Sequence, residues 1–238
     1  MSKIYFVGAG PGDPGLITVR GMDLVSKADV LIYAGSLVSP ELVACSRARI
    51  KLDSWGKTLE EIVPVMIQEA QDGALVVRLH SGDPALYGAV VEQIQLLEEA
   101  GIAYEIIPGV SSLFAAAAAL GTQLTLGGVS DTLIVTRPAG KTLERDEIHE
   151  LSAHTATMVF FLGADRVEEI IAKLRYPLST PAAIIYHASW PDQKIIRGTL
   201  ADIAGKASDA GIRKSALLLV GGVIEPSKSG HRRSVLYS

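Results

Sequence analysis

Residues Ile4-Tyr5-Phe6-Val7 run directly into Gly8-Ala9-Gly10-Pro11-Gly12-Asp13-Pro14. Four apolar residues followed by glycines describe a buried strand that ends in a turn of bare backbone. A parallel α/β sheet uses such a turn to bring main chain against a ligand, because glycine has no side chain to hold the ligand away. The turn departs from the dinucleotide fingerprint at two places. A nicotinamide site needs a third glycine where Asp13 stands, and an acidic residue at the end of the second strand. That strand, Val30-Leu31-Ile32-Tyr33, runs instead into Ala34-Gly35-Ser36. A pyrophosphate beside Asp13 would meet like charge, and no Gly-Lys-Ser/Thr follows to form a P-loop. A cofactor without phosphates, one that carries positive charge, suits this loop better.

The first half alternates strand and helix. Strands are expected at 4–7, 30–33, 74–79 and 104–107, and helices at 19–27, 59–71 and 89–100. The 59–71 segment is marked by Ile62, Val63, Met66, Ile67 and Ala70 at helical spacing. Strands separated by helices imply a mostly parallel sheet. The glycine- and threonine-rich residues 120–130 read as a linker between an N-terminal domain, 1–119, and a C-terminal domain, 131–238. The second domain shows strands at 132–136, 157–162, 182–186, 195–198 and 216–220, with helices at 167–174 and 200–210. The short polar segment between 186 and 194 predicts an antiparallel pair, so this sheet is mixed. The fold class is α/β with two domains.

Three further loops follow strands: Ser81-Gly82-Asp83-Pro84, Pro108-Gly109-Val110-Ser111-Ser112 and Thr136-Arg137-Pro138-Ala139-Gly140. Gly-Asp-Pro is a good turn tripeptide on its own terms. Several such loops at the carboxyl ends of strands make one crevice, the place where α/β sheets bind ligands. S-adenosylmethionine is a phosphate-free, cationic cofactor of the right kind. The formal net charge of −4 offers no general affinity for nucleic acid. Cys45 is the one cysteine, which excludes an intrachain disulfide and a cysteine-based metal site, and it reads as a packed thiol. With no membrane-length apolar run and no signal-like N-terminus, the expected location is the cytoplasm.

Residues 8–14, 81–88 and 108–112 resemble the loops of the tetrapyrrole (corrin and porphyrin) methylases, and the resemblance covers nearly the whole chain. Within that family, 33–38, Thr136-Arg137 and Tyr186-His187-Ala188-Ser189-Trp190-Pro191-Asp192 are similar to the branch that methylates carbon 11 of precorrin-4 in cobalamin biosynthesis. The sirohaem-forming members tend to carry a Glu-Asn-Gly-Thr type segment at the last of these places. The resemblance implies a homodimer with S-adenosylmethionine in the cleft between the domains, held largely by backbone. Carried over position by position, it implies cofactor contacts at Pro11, Ser81, Gly82, Asp83, Leu86, Ser111 and Ser112. Leu162 and Ala188, where relatives often have methionine and glycine, complete that set. Arg78, Arg137, His187, Arg197 and Lys214 are the candidates for the acetate and propionate groups of a tetrapyrrole.

The members that act on uroporphyrinogen have an acidic residue just after the second strand. Ala34-Gly35-Ser36 provides none, so no catalytic base is assigned from the sequence, and no metal site is expected. Methyl transfer from a sulfonium to an electron-rich ring carbon demands mainly in-line positioning, which loop backbone can supply. The same fold serves methylases of ribosomal RNA, which the acidic charge disfavours, and of diphthamide precursors, which the 187–192 segment disfavours by resemblance. Two questions stay open at this level: whether the macrocycle carries cobalt, and whether another ring position is the target.

Overall fold

The computed structural model describes residues 3–227 and 229–232. The chain divides into two compact units, one ending at Ser112 and the other beginning at Leu113.

The first unit holds β1 (Lys3–Gly8), α1 (Val19–Lys27), β2 (Val30–Tyr33), α2 (Pro40–Ala44), β3 (Ile50–Asp53), α3 (Leu59–Gln71), β4 (Val76–His80), α4 (Val91–Glu99) and β5 (Ala103–Ile107). The five strands lie in the order β3-β2-β4-β1-β5, and each pairing is parallel. A strand inside a parallel sheet is covered on both faces, so it reads as an apolar run rather than an alternation. Ile4, Phe6 and Val7 of β1 are accordingly all fully buried. Ile4 and Phe6 pack with Ile62, Val63 and Met66 of α3 and Leu97 of α4. Val7 packs on the other face with Val25 of α1 and Leu42 of α2.

Helix ends follow local chemistry. The Thr18 side chain accepts from Gly21 N at 3.1 Å and caps α1. Thr58 and Glu61 form a reciprocal capping box at the start of α3.

The second unit holds α5 (Ser112–Leu120), β6 (Leu133–Thr136), α6 (Ile148–Leu151), β7 (Thr157–Phe160), α7 (Val167–Lys173), β8 (Pro181–Tyr186), β9 (Lys194–Thr199), α8 (Ile203–Asp209) and β10 (Ala216–Val220). Its sheet runs β6-β7-β10-β8-β9. β6 and β7 are parallel, while β10 is antiparallel to both β7 and β8. The expected antiparallel pair is β8 with β9, in register at Ile185 and Ile195.

Four differences from expectation have physical causes. The unit boundary falls at 112/113 rather than after 119. The residues after α5 are tied to the second unit: Leu120 O accepts from Arg197 Nη2, and Thr122 Oγ1 donates to Val223 O. β3 and α2, unassigned in the sequence, are four and five residues long, too short to print a period. The 200–210 helix begins only at Ile203, because Asp202 Oδ1 accepts from Thr199 N at 2.8 Å and holds a turn there. Cys45 is exposed rather than packed, and its Sγ donates to Glu41 O.

β4 carries two ionisable side chains into the core. Arg78 and His80 are 7% and 6% exposed. Arg78 Nε donates to Gln93 Oε1 at 3.2 Å within the protein, and the His80 ring packs against Phe6 at 5.9 Å. Burial pulls the Arg78 guanidinium down to about 10, so it stays charged at neutral pH. Burial, and then the Arg78 charge, lower His80 to about 3. The unfolded chain takes up a proton at His80 near pH 6.5 and the folded chain does not. This group's contribution is therefore fully present above about pH 6.5 and erodes as pH falls towards 3. Lowering the pH from 6.5 to 5 is expected to cost on the order of 2 kcal/mol through His80. Urea unfolding of His80→Phe should show that part of the pH dependence removed; an unchanged slope refutes the assignment.

Candidate functional site

Since β4, β1 and β5 are neighbours, the loops that leave their carboxyl ends emerge side by side. Ala9 N donates to His80 O at 2.7 Å. Gly10 N donates to Gly82 O at 3.2 Å, and Gly82 N to Gly10 O at 2.8 Å. The loop after β5 joins them through a side chain: Asp83 Oδ2 accepts from Gly109 N, and Asp83 Oδ1 from Ala85 N, both at 2.8 Å. Contact between these loops is so close that no Cβ fits. One added at Gly8 would stand 2.5 Å from Gly109 Cα and 2.7 Å from Gly82 O. One added at Gly109 would run into the Gly82 carbonyl. Asp13, the residue that spoils the dinucleotide fingerprint, caps the short turn Pro14–Leu16 by accepting from Gly15 N at 2.7 Å.

The sequence-identified residues of this unit fall on the same edge. Pro11 and Ser111 are buried within the loops, while Ser81, Gly82, Asp83 and Leu86 are partly exposed and Ser112 begins α5. Gly82 has φ +60°, the left-handed region open to glycine. Tyr87 and Ala89 adopt the same region at φ 56° and 47° despite their side chains. Such strain persists only where surrounding structure imposes it, and it clusters at ligand sites. Arg78 is not at this surface; it lies in the core beneath the edge.

At one edge of the second sheet stand the ends of β6, β7 and β8 and the start of β10. Leu162 follows β7 with φ 54° and is 62% exposed. After β8, His187 and Ser189 are left-handed at φ 47° and 72°, with the buried Ala188 between them. His187 Nδ1 lies 2.9 Å from Asp192 Oδ1, and its ring stacks on Tyr186 at 3.8 Å and leans on Trp190 at 5.1 Å. The His187 hydrogen bond, more than any other influence, holds Asp192 below the usual carboxylate range. A cavity of about 400 Å³ beside this segment is lined by Tyr186, Asp192, Lys194, Arg213 and Lys214 among others. Lys214 is thus one of three cations around one carboxylate.

Two expected substrate arginines are engaged with the fold. Arg197 donates to Ile224 O at 3.0 Å and to Leu120 O at 2.8 Å, which makes it a clamp on two carbonyls. Arg137 donates to Thr142 Oγ1 and O at 2.7 and 2.9 Å. Asp53 was missed, although it ends β3 beside the glycine of 34–36. It is visible only once β3 is recognised, because β2 and β3 pair Tyr33 with Asp53. Among the described residues no cluster of three or more His, Cys, Asp or Glu could hold a metal ion, and no helix is long and apolar enough to cross a membrane.

Comparison with known proteins places this geometry. The family model of the tetrapyrrole (corrin/porphyrin) methylases matches residues 3–204. A cobalt-precorrin-4 C(11)-methyltransferase of Methanocaldococcus jannaschii is 49% identical over 94% of this chain and 89% of its own. A precorrin-4 C(11)-methyltransferase of Pseudomonas aeruginosa is 45% identical over 98% of this chain and 94% of its own. The X-ray structure of a cobalt precorrin-4 methyltransferase superposes with a TM-score of 0.91 at 42% identity, covering 94% of this chain and 97% of that one. A uroporphyrin-III C-methyl transferase from Thermus thermophilus, solved with S-adenosyl homocysteine, superposes at 0.80 with 26% identity and 94% of each chain.

Two substitutions probe the site's scaffold. Gly109→Ala should cost about 1–3 kcal/mol, since the Gly82 carbonyl must move away from the new methyl; denaturant unfolding measures it, and a neutral result shows that the loops are not in close contact. Arg197→Met should cost about 1–3 kcal/mol by stranding two carbonyls. A variant as stable as its parent would release Arg197 from the structural role.

Proposed function

This chain belongs to the tetrapyrrole (corrin/porphyrin) methylases, and from that membership we propose that it uses S-adenosylmethionine to methylate carbon 11 of precorrin-4 or its cobalt form, giving the precorrin-5 stage of cobalamin biosynthesis. The observation that carries the reading is the set of three interlocked loops on the adjacent strands β4, β1 and β5, two joined backbone to backbone and the third through Asp83. The high identity to precorrin-4 C(11)-methyltransferases of two organisms supports the choice of substrate.

The residues present fit the cofactor. S-adenosylmethionine, when bound, supplies a methyl group on a sulfonium, needs no phosphate site, and tolerates the acidic Asp13 region. The missing Cβ atoms at Gly8 and Gly109 let the loops meet backbone to backbone, so that main chain rather than side chains forms this edge. Pro11, Ser81, Gly82, Leu86, Ser111 and Ser112 would hold it from the first unit. Asp83 acts through the frame, since both its oxygens accept backbone N–H groups. Leu162 and Ala188 would contribute from the second.

The macrocycle brings several carboxylates. Arg213, Lys214 and Lys194 around the cavity, together with the His187–Asp192 pair, are the cationic and polar groups suited to receive them. The chain's task is then chiefly geometric: to hold the reacting carbon in line with the methyl at near-attack distance. The same reading takes the enzyme to be a cytoplasmic homodimer.

Incubation with methyl-labelled S-adenosylmethionine and either cobalt-bound or metal-free precorrin-4 should put one label per macrocycle, located at carbon 11 by NMR. An unlabelled corrinoid fraction from both substrates, with an active relative run alongside, would sink the reading.

A further inference from the structure

Methyl transfer to a neutral ring leaves the macrocycle with one proton to lose, and a carboxylate beside it is a suitable acceptor. Three aspartates stand at or just beyond the carboxyl ends of the first sheet's strands. Asp13 caps the 14–16 turn. Asp83 has both oxygens on backbone amides. Asp53 differs: Oδ1 accepts from Gly35 N and from Trp55 N, each at 2.9 Å, while Oδ2 has no hydrogen-bond partner among the described residues. One oxygen anchors the carboxylate; the other lies over Gly35 on an exposed side chain and keeps its accepting capacity.

The surroundings suit an apolar macrocycle. Trp55, two residues on, is 73% exposed, and Leu37, in the loop after β2, is 40% exposed. Leu37 belongs to the tip of β2, which adjoins the tip of β4 and so the second loop, and Trp55 to the tip of β3, one strand further out. Two strand spacings, about 10 Å, separate β3 from β4, a distance that a four-ring macrocycle spans. Gly35 is required beneath Asp53, because a Cβ there would collide with the carboxylate. The buried guanidinium of Arg78 feels the Asp53 charge across the sheet. Lys51, the nearest cation on β3, is turned away onto Val43 O.

Resting on the methylase reading above, we propose that Asp53 Oδ2 is the proton acceptor of the reaction and that Trp55 and Leu37 give the macrocycle its apolar footing beside it. The ring's π pair forms the new carbon–carbon bond, and the methyl–sulfur pair stays on sulfur. The surplus proton leaves to Asp53, and the bonding pair it leaves behind restores the neutral π system. The carboxylate then returns that proton to solvent, and no oxidant or reductant is needed.

Asp53→Asn tests this, since its amide oxygen still accepts from Gly35 and Trp55. The variant should lose about 100-fold or more in kcat, while the macrocycle KM, the S-adenosylmethionine Kd from calorimetric titration and the melting temperature stay near those of the parent chain. Activity within threefold of the parent overturns the proposal. So does a loss of activity accompanied by a matching loss of cofactor binding or stability, which marks Asp53 as a scaffold residue. The parent chain in the same assay separates the two claims: no turnover there refutes the methylase reading itself.

Discussion

Everything at the ligand edge depends on the touching main chains of Gly8, Gly82 and Gly109. Three strands that are neighbours in the sheet deliver three loops that are in van der Waals contact without side chains between them. Hydrogen bonds between Gly10 and Gly82 and the Asp83 bridge to Gly109 then turn three turns into one body. A rigid surface made of peptide groups costs little reorganisation when a ligand arrives. It also explains why a carboxylate in the second loop is compatible with the site: Asp83 spends its charge on amides.

Behind that surface the sheet is unusually polar for a core. Arg78 and His80 lie on β4 directly beneath the loops, with one nitrogen of each lacking a partner among the described residues. Buried groups of this kind usually cost stability, and here they lie on the strand between β2 and β1. Strain accumulates in the same places. Tyr87, Ala89, Leu162, His187, Ser189 and Ser215 all hold left-handed backbone with side chains attached, at roughly 1–2 kcal/mol each. Most of the left-handed non-glycine residues thus stand at one edge of each sheet, with Thr155, φ 53°, at the opposite end of β7.

Much of this was legible in the residues. α1 and α3 lie where periodicity and capping residues put them, and β2 and β10 lie where short but unbroken apolar runs end in a clear stop. The glycine loops were legible because a missing side chain is itself a signal. What stayed hidden has a common cause: it depends on partners distant in sequence. Arg197 looks like any surface arginine until Leu120 and Ile224 turn their carbonyls towards it. Arg78 looks like a candidate for substrate until α4 brings Gln93 over it. Asp53 looks irrelevant to Ala34-Gly35-Ser36 until β3 pairs with β2.

The central position of β1 has a consequence for how the protein is made. Its partners are β4, at 76–80, and β5, at 103–107, so β1 is enclosed only after both of these later strands have been made. Until residue 80 emerges, this apolar segment ending in glycines has neither edge paired, and until residue 107 emerges one edge still waits. Sheets built from such distant parallel pairings form slowly and expose sticky edges while they wait. The segment that shapes the ligand edge in the finished protein is thus the one most in need of shelter during synthesis.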